Sequence, residues 1–304
     1  MLAALGAAAL WGTTGTAQAL GPGGTDPVSV GALRIAVGAL ALGLLAARSV
    51  PRRTPGTDQR LLGAGPGRLP AGAVLLLGGL CVATYQACFF LGVDRAGVAV
   101  GTVVALGVAP LATGALGLLL GERLTRRWSA ATAGAVVGII LLVLGAGSSG
   151  AGVDPLGVAG AVGAGLSYAG YTVAARTLLL RGAHGVAVMA GTFGVGALVM
   201  LPALAGADLG WVLTAHGALM VAWLGLVATA LSYVLFQHSL AGLPSSTVAT
   251  LSLAEPVTAT LLGVLVLGEV LAHLSAVGVA VVVLSLAAMA LPGRRSRVGT
   301  RVDA

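Results

Sequence analysis

Charge is what this chain has least of. Only 8% of its 304 residues are Asp, Glu, Lys or Arg, and none of them is lysine; a soluble domain carries about a quarter. A water-facing surface cannot be covered with so few charges, so lipid must solvate most of the exterior. The missing lysine rules out the phosphate-cradling Gly-x-x-x-x-Gly-Lys-Ser/Thr loop, and with it nucleotide-driven work within this chain. Cysteine is scarce as well. Cys81 and Cys88 lie in one apolar segment, and at ~1.5 Å rise per residue they stand ~10 Å apart, beyond disulfide reach. Both are expected to be inert packing residues. No cluster has metal-ligand spacing, and no cofactor is expected. Period-2 alternation is also missing, which excludes a membrane β-barrel. What is abundant is apolar: 58% hydrophobic residues and a mean hydropathy of +1.03, gathered into runs of ~20 residues, the length of a spanning helix. In lipid the backbone must satisfy its polar groups internally, so the expected fold class is an all-α multi-pass membrane protein.

Ten spans are expected, at roughly 2–20, 28–47, 70–92, 98–120, 129–146, 156–178, 186–205, 217–240, 245–267 and 272–291. Gly21-Pro22-Gly23-Gly24, the stretch Pro51 to Pro70, Ser148-Ser149-Gly150, Asp154-Pro155 and Gly242-Leu243-Pro244 punctuate them. The net charge of +7 would suggest nucleic acid in a soluble protein, but its placement fits a membrane. With the N-terminus in the cytoplasm, 14 of the 16 arginines fall on that side; Arg95 lands outside and Arg34 lies within a span. Asp26, Asp94, Asp154, Asp208 and Glu269 take the opposite face. Positive charge in short loops sets orientation, so both termini are expected in the cytoplasm, with 293–304 as a basic tail. Ala17-Gln18-Ala19 has the look of a cleavage site. Against that, no positive region precedes it, and the duplication described next needs this segment as its first span.

The chain repeats itself. At an offset of 158, Gly12 and Thr14 meet Gly170 and Thr172, and Val37-Gly38-Ala39-Leu40 meets Val195-Gly196-Ala197-Leu198. After the second span the offset is 147, pairing Phe89 with Phe236 and Leu120-Gly121-Glu122 with Leu267-Gly268-Glu269. The expected units are 1–147 and 152–292. Five spans is an odd number, so the second unit must enter the membrane from the opposite face. The charges agree, since Gly121-Glu122-Arg123-Leu124-Thr125-Arg126-Arg127 is cytoplasmic while its counterpart from Gly268 to His273 has lost every arginine. Inverted repeats of this kind are a signature of secondary transporters.

Leu253-Ala254-Glu255-Pro256-Val257 followed by Leu267-Gly268-Glu269 resembles the C-terminal repeat signature of the EamA-type drug/metabolite transporter family. The first unit is similar to the matching pattern through Trp11-Gly12, Arg34, Tyr85, Phe89-Phe90, Pro110 and Leu120-Gly121-Glu122. The resemblance implies a bacterial inner-membrane carrier of small molecules, often an exporter. It also implies a central cavity lined chiefly by spans one, three, four, six, eight and nine. The family's substrates range from amino acids and sugars to nucleotide-linked compounds and drugs, so the likeness does not name a substrate. Two departures stand out: Pro110 precedes Glu122 by twelve residues while Pro256 precedes Glu269 by thirteen, and Ala109 is not acidic.

Glu255 is the sharpest candidate. It lies about ten residues into span nine, where a charged carboxylate costs roughly 2.5–3.5 kcal/mol unless it is neutral, paired or facing water. A purely architectural acid should have been duplicated, yet Val108 and Ala109 occupy the corresponding positions. The reading favoured is a proton-coupling or cation-binding carboxylate; a protonated glutamate bonded to a neighbouring helix is the plain alternative. Pro256, and Pro110 in the first unit, are expected to kink their helices. Arg34 either binds an anionic substrate group, pairs with Glu255 or snorkels to the outer interface. Trp11, Tyr85, Gln86, Tyr168, Tyr171, Tyr233 and Gln237 give the spans stacking surfaces and hydrogen bonds, which suits zwitterionic or aromatic-bearing solutes; each alone also fits interhelical packing. Tyr233 and Gln237, four apart, are expected on one face. Glu122 and Glu269 read as helix-end caps or interface residues, and His238 near the end of span eight carries little weight. The partners implied are a small-molecule substrate and the bilayer, with no nucleic acid and no nucleotide. A lipid or lipid-linked-sugar flippase is the next reading, and a membrane-embedded lipid-modifying enzyme the weakest, because one Glu and one Arg are too few for such chemistry.

Overall fold

The computed structural model describes residues 1–49, 69–146 and 154–290, and every regular element among them is helical. In chain order these are α1 (Leu2–Ala19), α2 (Pro27–Ser49), α3 (Ala71–Leu119), α4 (Arg126–Gly145), α5 (Pro155–Leu180), α6 (Gly185–Leu204), α7 (Ala215–Gly242), α8 (Ser245–Leu267) and α9 (His273–Ala290). Seven of these described elements, all but α1 and α5, are long and apolar enough to cross a membrane by composition. The expected basic tail, the break at Ser148-Ser149-Gly150 and most of the Arg-rich connection after α2 lie outside the described residues.

Local chemistry sets the helix starts. Ser29 donates to Asp26 through both its N–H (2.9 Å) and its hydroxyl (2.7 Å) at the head of α2, and these bonds hold the Asp26 carboxyl below its ordinary value. Thr125 accepts from Trp128 N–H at 3.1 Å to cap α4, and Asp154 from Leu156 N–H at 2.9 Å to cap α5. Each side-chain oxygen satisfies a donor that the helix itself leaves unpaired.

The expected loop at 92–98 is a single residue. Helical hydrogen bonding runs through Ala71–Leu119, and Gly97 alone departs from it, at φ 85° and ψ 155°. Only glycine takes such angles without strain. The departure is enough to fold α3 back on itself. A Cβ added at Gly101 would lie 2.9 Å from the Gly92 carbonyl carbon, whereas nine residues of straight helix cover about 13.5 Å. Arg95 stays helical at this bend and pairs with Asp154 at 3.6 Å.

Elements that correspond in the duplication pack on one another. α2 lies against α6 and α4 against α9; α1 contacts α7 and α8 as α5 contacts the two limbs of α3. Outward-facing leucines such as Leu40, Leu44, Leu76, Leu198, Leu265 and Leu284 are exposed on the helices, as a lipid-solvated bundle requires. Inside, Thr113 bonds the Ala109 carbonyl (2.6 Å) and Ser232 the Ala228 carbonyl (2.7 Å) one turn back, so these hydroxyls carry no unmet bond into an apolar interior, whereas the buried Thr172 hydroxyl has no partner among the described residues.

Candidate functional site

Eight of the residues singled out from the sequence line one cavity of about 370 Å³: Trp11 on α1, Arg34 on α2, Tyr85 and Gln86 on the first limb of α3, Tyr168 and Tyr171 on α5, Tyr233 on α7 and Glu255 on α8. Thr14, Gly15, Gln18, Gly31, Phe89, Phe90 and Val98 complete much of the wall. The rim residues Gln18 and Val98 are exposed, so the cavity reaches the surface between the end of α1 and the bend in α3.

Backbone irregularities place the key side chains. Pro256 cannot donate to the Ser252 carbonyl, and α8 tightens into a 3-10 turn over Ser252–Ala254 just before Glu255. At that point α1 comes unusually near. A Cβ on Gly12 would sit 2.7 Å from both the Glu255 carbonyl oxygen and Thr258 Cβ, so only glycine permits the approach. The approach brings Trp11 to within 5.2 Å of Tyr233 and 5.3 Å of Phe236, ring centre to ring centre. In α7 the stretch Trp223–Leu231 is π-helical, and the Thr229 hydroxyl closes on the Leu224 carbonyl five residues back at 2.8 Å. Such widened turns re-phase the side chains that follow, here Tyr233 and Phe236. No such departure marks Pro110, which is buried within helical geometry in the second limb of α3.

The tyrosines form a connected floor. Tyr171 and Tyr233 share a hydroxyl contact at 3.2 Å, and the Tyr168 hydroxyl meets Ser252 Oγ at 2.8 Å. Tyr85 stacks on Phe89 at 5.8 Å. Two donors on the cavity wall are left over: the buried Trp11 Nε1 and Arg34 Nε have no hydrogen-bond partner among the described residues. Arg34 is thus turned to the cavity, yet it makes no ion pair with Glu255 within 4.0 Å. Trp11, Arg34 and Glu255 thus line one cavity with no direct hydrogen bond or ion pair joining them.

Gln237 departs from expectation. It does not line the cavity but lies against Gly185 at the start of α6. Four residues beyond Tyr233 is also about 6 Å further along the axis, which carries Gln237 past the cavity floor. The thiols of Cys81 and Cys88 face Gly170 and Gly163 of α5, and both are free. Among the described residues no three His, Cys, Asp or Glu side chains converge as metal ligands.

A second polar cluster lies at the far end of the bundle. Glu122, in the turn between α3 and α4, accepts from Ser245 N–H (2.7 Å) and Oγ (2.8 Å) and from Ser246 N–H (3.3 Å) and Oγ (3.0 Å). Arg176 of α5 pairs with the same carboxylate at 3.2 Å and also donates to the Leu240 carbonyl. Burial alone would raise the Glu122 carboxyl, but the four serine bonds outweigh it and hold the group below its ordinary value. The expected cap is therefore real, but it caps α8 rather than a neighbouring helix in sequence. Ser245 and Ser246 follow Glu122 by more than a hundred residues, and no local signal pointed to them.

The counterpart Glu269 has the same local frame. Glu122 N–H donates to the Gly117 carbonyl at 2.9 Å and Glu269 N–H to the Gly263 carbonyl at 3.0 Å, with Gly121 and Gly268 both at positive φ (78° and 70°). The one-residue discrepancy between the two prolines is thereby located: the extra residue lies between Gly263 and Leu267, and Ala109 is the counterpart of Glu255. Unlike Glu122, Glu269 is exposed.

A family model described as the EamA-like transporter family matches residues 1–144 and again 155–291. The chain is 37% identical over 292 residues to an uncharacterized transporter of Bacillus subtilis, YwfM, covering 96% of this chain and 93% of that one. It is 32% identical over 256 residues to an uncharacterized protein of Pseudomonas aeruginosa, covering 81% and 78%. A solved crystal structure shares the fold with a TM-score of 0.77 at 24% identity, over 95% of each chain. These helices, packed as two matching sets around a polar cavity, define a multi-pass membrane transporter. The chain belongs to the EamA-like transporter family, with both of its repeats present.

Proposed function

We propose that the chain is a proton-coupled secondary exporter of a small zwitterionic solute with an apolar or aromatic body. On this reading it spans the bacterial inner membrane ten times, as two five-span halves of opposite orientation with both termini in the cytoplasm. The reversal of α3 at Gly97 and the packing of corresponding helices in pairs support that topology, as does the clustering of arginines at the Glu122 end. Alternating access then consists of the halves rocking about the central cavity.

The observation that carries the reading is the disposition of polar groups on one aromatic wall. Arg34 Nε and Trp11 Nε1 are donors without partners, and the Glu255 carboxylate stands apart from both. A solute carboxylate fits the donors and a solute ammonium fits Glu255, while the rings of Tyr85, Tyr168 and Tyr233 take up apolar bulk. Because a proton and an ammonium compete for one carboxylate, loading of either excludes the other. That competition is the simplest way to couple their opposite movement.

The test is counterflow in liposomes, using a panel of zwitterionic solutes with and without a pH gradient. Glu255→Gln is expected to abolish gradient-driven uptake and to leave only a weakened solute exchange that no longer depends on pH. Gradient-driven uptake equal to that of the parent would reject the coupling role. Turnover of a lipid with no solute counterflow would favour the flippase or enzyme reading instead.

A further inference from the structure

The cavity has a rim at one end of the bundle and a seal at the other, and the seal is charged. Its members come from both halves: Glu122 from the first, and Arg176, Leu240, Ser245 and Ser246 from the second. The side chains of Arg176 and Glu122 are 13% and 8% exposed, so the pair is largely shielded from competing water, and its hydrogen bonds are charge-assisted.

Transposing the seal through the duplication identifies what would close the rim. The offset of 158 carries Arg176 to Gln18, and the offset of 147 carries Glu122 to Glu269; with an offset of 147 at Phe89 and 146 at Pro110, Ser245 and Ser246 fall within Val98, Ala99 and Val100 at the head of the second limb of α3. Gln18 and Val98 both line the cavity at its rim. The counterpart seal keeps its acid, in the same Gly-Glu turn, but has lost the guanidinium and both hydroxyls. Only the Gln18 amide and the backbone N–H groups that open the second limb of α3 remain for Glu269 to meet.

We infer that Glu122, Arg176 and the Ser245–Ser246 pair form the cytoplasmic gate of the transport cycle. We further infer that Gln18 and Glu269 form the weaker gate at the rim, so that the solute-free carrier rests open to the outside. The residues of the cytoplasmic gate are positioning residues, since none of the four lines the cavity, whereas Gln18 of the rim gate borders its mouth. The inference rests on the alternating-access reading above and adds to it which face is locked, and by which groups.

The experiment measures two distances in the full-length chain in lipid nanodiscs, with Cys81 and Cys88 replaced by alanine and spin labels on introduced cysteines. One pair, Arg123 and Gly242, reports the gate end; the other, Ala19 and Val270, reports the rim. Arg176→Gln is expected to lengthen the first distance and shorten the second in the same molecules, shifting the ratio of the two states about tenfold, the scale of one charge-assisted hydrogen bond. Gln18→Arg, which gives the rim the cation it lacks, should shift the ratio the same way without touching the cytoplasmic gate. Arg176→Lys should stay near the parent. A gate end that loosens while the rim stays put would make the cluster a structural cap and overturn the inference, as would no change in either distance. The readout needs no solute, so a parent protein that transports nothing defeats the functional proposal without deciding the gate.

Discussion

Leu-Gly-Glu occurs twice, at 120–122 and 267–269, and the two copies have opposite surroundings. Both end a helix on a left-handed glycine, and both return the glutamate N–H to a carbonyl in the last turn. Glu122 then collects four serine bonds and an arginine, while Glu269 lies exposed. The local sequence thus builds the turn, and tertiary partners decide what its carboxylate does. Duplication kept the turn, with one residue more in the second copy, and left the partners free to diverge.

The sharpest way to break this comparison is to delete both acids in turn. Glu122→Ala leaves the Arg176 guanidinium and two serine hydroxyls without their acceptor, and removing one member of a buried pair costs about 3 kcal/mol or more. Glu269→Ala, at an exposed position, should stay within about 0.5 kcal/mol. Thermal unfolding in detergent, read for both variants beside the parent, checks the difference. Equal losses would mean that the surroundings described for Glu122 do not govern its worth.

A smaller contrast sits at another pair of counterparts, Gly12 and Gly170. At Gly12 an added methyl meets backbone, the Glu255 carbonyl oxygen at 2.7 Å, together with Thr258 Cβ; at Gly170 it meets the Cys81 thiol at 2.6 Å. A thiol can rotate away and a carbonyl in a packed turn cannot. Gly12→Ala should therefore cost about 1–3 kcal/mol through overpacking and lower the affinity for solute, because α1 carries Trp11. Gly170→Ala should cost less and leave affinity unchanged. Solute-induced thermal stabilisation of the two variants reads both effects.

Much of the cavity was legible because polar and aromatic side chains at membrane depth stand out against alanine, leucine and glycine. Glu255, Arg34 and Trp11 are conspicuous for that reason alone, and all three face the cavity. What could not be read was anything set by a partner distant in sequence. Arg176 looked like one more loop arginine that orients the chain, and Gln18 like part of a cleavage-site pattern; each takes its meaning from residues brought to it by the fold. The π-helical stretch in α7 was equally silent, since Trp223 to Leu231 has the composition of any buried α-helix. Gln237 shows the limit of facial periodicity, which gives direction around a helix but not depth along it. The break between 92 and 98 was expected from hydropathy alone, with no signal read at Gly97, and the chain reverses on that one residue rather than through a loop.

The smallest expected effect is also the most specific to the Glu122 end. Its carboxyl is held below the ordinary value of 4.5 by the serine bonds. A depressed group contributes its stabilisation in full above the ordinary value and loses it as the pH falls through its own lower one. The gap in unfolding temperature between the parent and Glu122→Gln should hence be constant from about pH 7 down to about pH 5, and narrow only in more acidic buffer. Glutamine keeps the shape and one acceptor, so the gap tracks the charge and little else. A gap that is already closing near pH 6 would place the Glu122 carboxyl above its ordinary value, and the hydrogen bonds from Ser245 and Ser246 would then not be what sets it.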